Sequence, residues 1–513
     1  MQGDAALSSV IPSEYRAAEK PPPQVKVVSR TDGRKKVLFV TAEIADLVKV
    51  GGLGDVSAAI PRAMQQGHDV RVLIPGYRQV LQSDNEIRII GQIEGHAALP
   101  ACAIGRIDRD DGLVIYLVLC PELYDREGSP YSDEQGVDWP DNHIRFARLS
   151  LAAAEFAAGR AGLKWIPQLL HLNDWQTALT PAYLHSRKQK TPSIFTIHNL
   201  AYQGLCDAQC SVELGLPFQG LELGHDGKIA FLKAGILYAS HITTVSATYA
   251  REITTPDYGC GLAPLLKEKQ RQGVLTGILN GIDESWEPET DPHLVQGFCA
   301  NDWRGKQANA RHVRERFELQ ASSGPLFAVV SRLVHQKGLD LTLDVAEHIV
   351  GNGGQIALIG RGEARVEAAL LAVAARFPGR IGVHIGFNET DARRMFAGSD
   401  FLLMPSRYEP CGLSQMYAQC FGSLPIARNT GGLADSIEDG VTGFLFEEAN
   451  SPSYRAAIDR ALRVYRRPQL FHAMRCQAMV SPCHWCDSIA PYSRLYDALL
   501  TTGSLAQVHQ AQG

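Results

Sequence analysis

Apolar residues along this chain fall into short β-branched runs separated by longer stretches with helical spacing, and the two alternate. Val37-Leu38-Phe39-Val40-Thr41-Ala42 is apolar on both faces, the pattern of a strand buried in a parallel sheet. Residues 70–74, 113–118, 169–172, 193–197 and 242–245 repeat it, with helices predicted over 144–158 and 228–238. The pattern then restarts: strands at 326–330, 356–359, 381–385, 401–404 and 424–427 alternate with helices at 339–350 and 363–376. Such alternation predicts an α/β protein of two doubly wound, Rossmann-like domains in tandem. Residues 36–280 are expected to form the first and 281–475 the second, with 476–513 crossing back to the first. Residues 1–35 carry Pro21-Pro22-Pro23 and mixed charges without apolar periodicity, and read as a mobile extension.

In doubly wound sheets ligands sit at the carboxyl ends of the strands, so chemistry is sought in the loops that follow them. Lys49-Val50-Gly51-Gly52-Leu53-Gly54-Asp55 joins the first strand to a helix expected from Val56. A glycine-rich turn of this kind aims main-chain N–H groups at an anion, and Lys49 adds a positive charge. The plain alternative is a turn that simply joins a strand to a helix. Arg332 and Lys337 share one loop and suit a diphosphate, the guanidinium as a fork and the ammonium as a point charge. Glu409 lies in the constrained loop Tyr408-Glu409-Pro410, where a carboxylate can accept from sugar hydroxyls, and Gly412 is expected to open a helix. His198 ends an expected central strand, as a functional group or as a satisfied core histidine.

A chain of 513 residues exceeds one ordinary core, in keeping with two domains. Its 45% hydrophobic and 20% charged residues are those of a globular protein, and a formal charge of −5 gives no electrostatic reason to expect nucleic acid or an anionic membrane. No apolar run reaches transmembrane length. Eleven scattered cysteines imply free thiols in a reducing cytoplasm. Cys483-His484-Trp485-Cys486 has no second pair to complete a four-ligand zinc site.

Five motifs in order carry a closer likeness. Lys49 to Asp55, His198-Asn199-Leu200-Ala201-Tyr202-Gln203-Gly204, Arg332 with Lys337-Gly338, Glu409-Pro410-Cys411-Gly412-Leu413 and Thr430-Gly431-Gly432-Leu433 resemble the signatures of bacterial glycogen synthases and plant starch synthases. The resemblance runs from about Val37 to about Tyr496 and is nearer to the bacterial group. It implies a GT-B type glycosyltransferase fold, two Rossmann-like domains facing across a cleft. It implies retaining transfer of glucose from ADP-glucose to the non-reducing end of glycogen or another α-1,4-glucan, with no metal and no cofactor. Catalytic roles would fall to His198, near the glucose ring, to Arg332 and Lys337 on the leaving ADP, and to Glu409 on the sugar hydroxyls. Lys49, Gly51, Gly52, Asp55, Tyr131, Asp174, Asn199, Asn280, Cys411, Gly412 and Leu413 would bind substrate, and Phe387 would stack on adenine.

The chemistry suits these residue types, because breaking a glycosyl–phosphate bond leaves positive charge on the sugar and negative charge on the diphosphate. Fixed cations oppose the second. A retaining enzyme can use a carboxylate nucleophile; here front-face attack assisted by the leaving phosphate is expected, since Glu409 should face the hydroxyl side. One departure concerns His171-Leu172-Asn173-Asp174-Trp175, where the family commonly has His-x-His-Asp-Trp, so Asn173 is not expected to transfer protons. The turn from Asn280 and the helix end before Gly67 each look one residue short. A nicotinamide-dependent oxidoreductase would need Gly-x-Gly-x-x-Gly, which Gly51-Gly52-Leu53-Gly54 does not fit. A glucan phosphorylase would need lysine-bound pyridoxal phosphate, and a simple glucan-binding protein has no use for a diphosphate clamp.

Overall fold

The computed structural model describes residues 33–216, 227–482 and 484–510. The extension expected over 1–35 lies almost wholly outside the described residues, as does Cys483. The chain divides into two compact units. One comprises the residues up to Thr243, Ile253–Thr276 and the stretch from Ile489; the other comprises Thr244–Glu252 and Gly277–Ser488.

The first sheet is built from β1 (Lys35–Val40), β2 (His68–Pro75), β3 (Arg88–Ile93), β4 (Cys102–Asp108), β5 (Val114–Leu119), β6 (Leu169–Asn173) and β7 (Ser193–Ile197). A separate antiparallel ribbon pairs β8 (Leu205–Asp207) with β9 (Lys228–Ala230), and β10 (His241–Thr244) and β11 (Leu275–Gly277) complete the sheet. Its order is β11-β10-β7-β6-β1-β2-β5-β4-β3. β1 is central, with Val37 opposite Val70 on one side and Leu169 on the other, both in parallel register. Val37, Leu38, Phe39 and Val40 are all fully buried, which is why the run lacks polar alternation. Each such side chain contributes about 1.5–3 kcal/mol by burial.

The second sheet is wholly parallel: β12 (Leu326–Val330), β13 (Gln355–Gly360), β14 (Ile381–Ile385), β15 (Phe401–Met404), β16 (Leu424–Arg428) and β17 (Phe444–Phe446), in the order β14-β13-β12-β15-β16-β17. Phe327, Val329, Ile356 and Leu358 pack into one core layer, and Leu326, Ala328, Ala357 and Ile359 into another. Alternate side chains of the same strands therefore feed two cores, as a sheet covered on both faces requires. The expected α/β architecture of two doubly wound units is what the chain adopts.

Three local expectations change. β4 pairs antiparallel with both β3 and β5, so the first sheet carries an antiparallel edge that alternating helices and strands do not announce. Residues 228–230 pair with β8 instead of continuing the helix, which runs over Phe231–Tyr238. The helix expected from Val56 runs over Gly52–Met64, because Leu53, Val56, Ser57, Ile60 and Met64 share one buried face. The glycine motif is thus the first turn of a helix as much as a loop.

Candidate active site

In the first unit the strand ends gather acceptors. Glu43, three residues beyond β1, is buried, and its carboxylate accepts from Val50 N–H at 2.7 Å, Gly51 N–H at 2.9 Å and the Tyr131 hydroxyl. The amides that the glycine motif offers to an anion are here bonded to the protein's own carboxylate. Lys49 is exposed and pairs with Asp55 at 2.7 Å. The Tyr131 loop is held by the helix Asn142–Ala157, through Asn142 Nδ2 to the Tyr131 carbonyl and Arg145 Nη1 to the Pro130 carbonyl, both 2.8 Å. Burial pushes the Glu43 carboxyl up, against the pull of its three donors, and raises the Tyr131 phenol well above its usual range.

Asp174 follows β6 at φ 56° and ψ −177°, a conformation that costs a non-glycine residue about 1–3 kcal/mol. Its Oδ1 accepts from the main-chain N–H of His198 at 2.8 Å and of Asn199 at 3.3 Å, where β7 ends. The side chain is 8% exposed; burial raises its carboxyl to about 7 against those two donors, and the charge of Glu43 adds to the rise. Burial moves the half-buried His198 the other way, down to about 3. Its Nε2 meets Asn173 Oδ1 at 3.0 Å.

In the second unit the loops after β12, β15 and β16 interlock. Glu409, 6% exposed, accepts from Lys337 Nζ at 2.5 Å and Ser406 Oγ at 3.0 Å. Gln336 Nε2 donates to the Tyr408 carbonyl at 3.1 Å, and Arg407 N–H to the Gln336 carbonyl at 2.8 Å. Two glycines make the approach possible. Gly431, at φ 46°, would place a Cβ 1.9 Å from the Glu409 carbonyl; Gly338, at φ 63°, would place one 2.0 Å from the Pro405 carbonyl. Gly432 N–H closes the turn onto the Glu409 carbonyl at 3.0 Å. Arg332 is exposed at the start of the β12 loop. Cys411 is buried and Leu413 half-buried, while Gly412 turns the chain at φ 71°. The helix begins at Ser414, not at Gly412.

The sequence-predicted residues thus fall into two sets. Lys49, Gly51, Gly52, Asp55, Tyr131, Asp174, His198 and Asn199 belong to the first unit; Asn280, Arg332, Lys337, Phe387, Glu409, Cys411, Gly412 and Leu413 belong to the second. Phe387, 74% exposed, follows β14. Asn280 is 4% exposed, and its Oδ1 meets no hydrogen-bond partner among the described residues. Glu43 escaped sequence reasoning, although a carboxylate just past a central strand was the available signal. In the second unit, Glu252 of the segment Thr244–Glu252 also went unnoticed: it accepts from Thr430 Oγ1 at 2.8 Å and Gly431 N–H at 3.1 Å, bracing the glycine turn under Glu409. Among the described residues, His143, Cys210 and Glu213 bring ligand atoms within 4.8 Å of one another, but His143 Nε2 already bonds Glu213 at 3.0 Å.

Two Rossmann-like units in tandem are the framework of GT-B type glycosyltransferases, and the family matches place this chain among them. Residues 36–268 match the starch synthase catalytic domain family and residues 313–473 the group 1 glycosyl transferases. The chain is 67% identical over 470 residues to glycogen synthase of Pseudomonas fluorescens Pf-5, covering 91% of this chain and 90% of that one. It is 62% identical over 482 residues to glycogen synthase of Pseudomonas aeruginosa PAO1, covering 93% and 94%. The catalytic domain of starch synthase IV from Arabidopsis thaliana, solved with ADP and acarbose, superposes with a TM-score of 0.82 at 30% identity, over 91% of this chain and all of that one. Sucrose-phosphate synthase from Thermosynechococcus elongatus shares the fold, with a TM-score of 0.57 at 14% identity over 91% of this chain and all of that one. The chain belongs to the family of glycogen and starch synthases.

Proposed function

We propose that this protein transfers glucose from ADP-glucose to the 4-hydroxyl at the non-reducing end of glycogen or another α-1,4-glucan, with retention of configuration and release of ADP. The part-buried Lys337–Glu409 pair carries the reading within the chain, since it fixes an ammonium beside an acceptor carboxylate at the end of a parallel sheet. Relatives named glycogen synthase, and the ADP bound by the Arabidopsis starch synthase, support the donor and the acceptor class. The work is done in the cytoplasm, without a metal or other cofactor.

Lys337 and Arg332 oppose the charge that grows on the departing diphosphate, with Phe387 under the base and Gly412, Cys411 and Leu413 beside the phosphates and sugar. Glu409 accepts from glucose hydroxyls. Its Oε2 already takes bonds from Lys337 and Ser406, which leaves it a poor nucleophile and favours front-face attack assisted by the leaving phosphate. Trapping a glucosyl ester on Glu409 would overturn that route. Lys49, Gly51, Gly52, Asp55, Tyr131, Asp174, His198 and Asn199 serve the glucosyl group and acceptor, and Asn280 completes the set. The deciding measurement is glycogen-dependent release of ADP from ADP-glucose and of UDP from UDP-glucose. ADP release is expected, UDP release alone would move the donor assignment, and release from neither would end the reading.

A further inference from the structure

Asn173 is fully buried at the end of β6, where its side chain bridges two elements. Its Nδ2 lies 2.9 Å from the carbonyl of Val40, at the end of β1. A carbonyl only accepts, so this contact decides which end of the amide carries the hydrogens. The other end, Oδ1, lies 3.0 Å from His198 Nε2 and can only accept there. His198 Nε2 must therefore bear the proton, and a neutral ring then keeps a bare lone pair on Nδ1. No described residue takes that lone pair.

We infer that Asn173 is a positioning residue that holds His198 as the neutral Nε2–H tautomer and presents Nδ1 as an acceptor for a sugar hydroxyl. The assignment of a sugar as the ligand rests on the function proposed above; the tautomer does not. Its purpose follows from the charge that develops during transfer. An imidazolium beside an electron-poor glucosyl ring would repel it, whereas a neutral acceptor orients a hydroxyl without adding positive charge. The surroundings favour the neutral ring. Asp174 gives its carboxylate to the main-chain N–H of His198 and not to the imidazole, and the neighbouring His171 faces two hydroxyls and no carboxylate, with Nδ1 on Tyr496 Oη at 2.6 Å and Nε2 on Thr196 Oγ1 at 2.7 Å. Burial brings both imidazoles down to about 3, so neither charges in the physiological range.

An amide does not titrate. A histidine at position 173 could play the same part only until it took up a proton and became a donor at both nitrogens, so the asparagine makes the tautomer independent of pH. A carboxylate at 173 would accept from Nε2 as well, but its charge would favour imidazolium.

Histidine ¹⁵N NMR of the full chain, assigned with His198→Gln, reads the tautomer without reference to turnover. The expected result is a protonated Nε2 and an unprotonated Nδ1 on His198, unchanged from pH 5.5 to 8.5. In the isosteric Asn173→Asp the ring should titrate inside that window, and turnover should fall about tenfold or more on its acid side with a smaller change in KM. A His198 protonated on Nδ1, or one that titrates alike in both proteins, overturns the inference. If no form transfers glucose while the NMR result stands, it is the proposed function that fails. Should Asn173→Asp not fold, Asn173→Ser in the same spectra still decides: loss of the Oδ1 acceptor should let His198 populate both tautomers, and an unchanged single tautomer would count against the role of Asn173.

Discussion

The two units handle buried charge in opposite ways at their strand ends. In the first unit, burial drives ionisable groups toward neutrality: Glu43 and Asp174 are pushed up, His198 is pushed down, and the acceptors are filled largely by main-chain N–H groups. In the second unit a lysine and a glutamate are paired with each other, Lys337 against Glu409, inside a frame of crossing loops. An isolated buried ion is costly, so a protein either neutralises it or pairs it. The first solution suits a sugar, which presents hydroxyls and develops positive charge. The second suits a diphosphate, which needs a cation held ready.

That contrast can be broken from either side, and the largest effect belongs to the charged half. Lys337→Ala should lower turnover about 10²–10³-fold with a much smaller change in the KM for ADP-glucose; an equal loss in both would make Lys337 a binding group and not a stabiliser of the leaving diphosphate. Next comes Gly431→Ala, whose Cβ would collide with the Glu409 carbonyl. It should lose activity together with about 1–3 kcal/mol of stability in urea unfolding, and an indifferent result would show that the turn does not hold Glu409. On the neutral side, Glu43→Ala strips the Val50 and Gly51 amides of their acceptor. A loss of about 1–3 kcal/mol is expected, with faster hydrogen exchange at those two amides.

The smallest effect is one of pH. Asp174 has a folded-state value near 7 against an ordinary 3.8, so its contribution to stability is complete below about pH 3.8 and is lost as pH rises through 7. Asp174→Asn keeps an oxygen for the His198 and Asn199 amides while removing the ionisation. Its melting temperature should exceed the wild type's by a few degrees at pH 8 and by less at pH 5. The reverse order would mean that the carboxylate is stabilised as an anion.

Much of this was legible in the chain. The strands were visible because a doubly covered sheet needs continuous apolar runs, and the loops because ligands gather at strand ends. What escaped notice depended on partners distant in sequence. β9 is a strand only because β8 lies beside it, and the β3–β4 edge has no helix to mark it. Glu252 sits 178 residues from the Thr430 hydroxyl it braces, and Glu43 is 88 from Tyr131.

By itself, then, the sequence determined the central parallel strands, the α/β class and the family motifs, all of which rest on local periodicity and residue type. Only the tertiary structure decided how the groups are charged and aimed. It showed the glycine-motif amides bonded to Glu43, Lys337 set against Glu409, and His198 Nε2 set against the side-chain oxygen of Asn173 at the end of β6. Burial and hydrogen-bond direction are properties of a surrounding, and a surrounding exists only once the chain has folded.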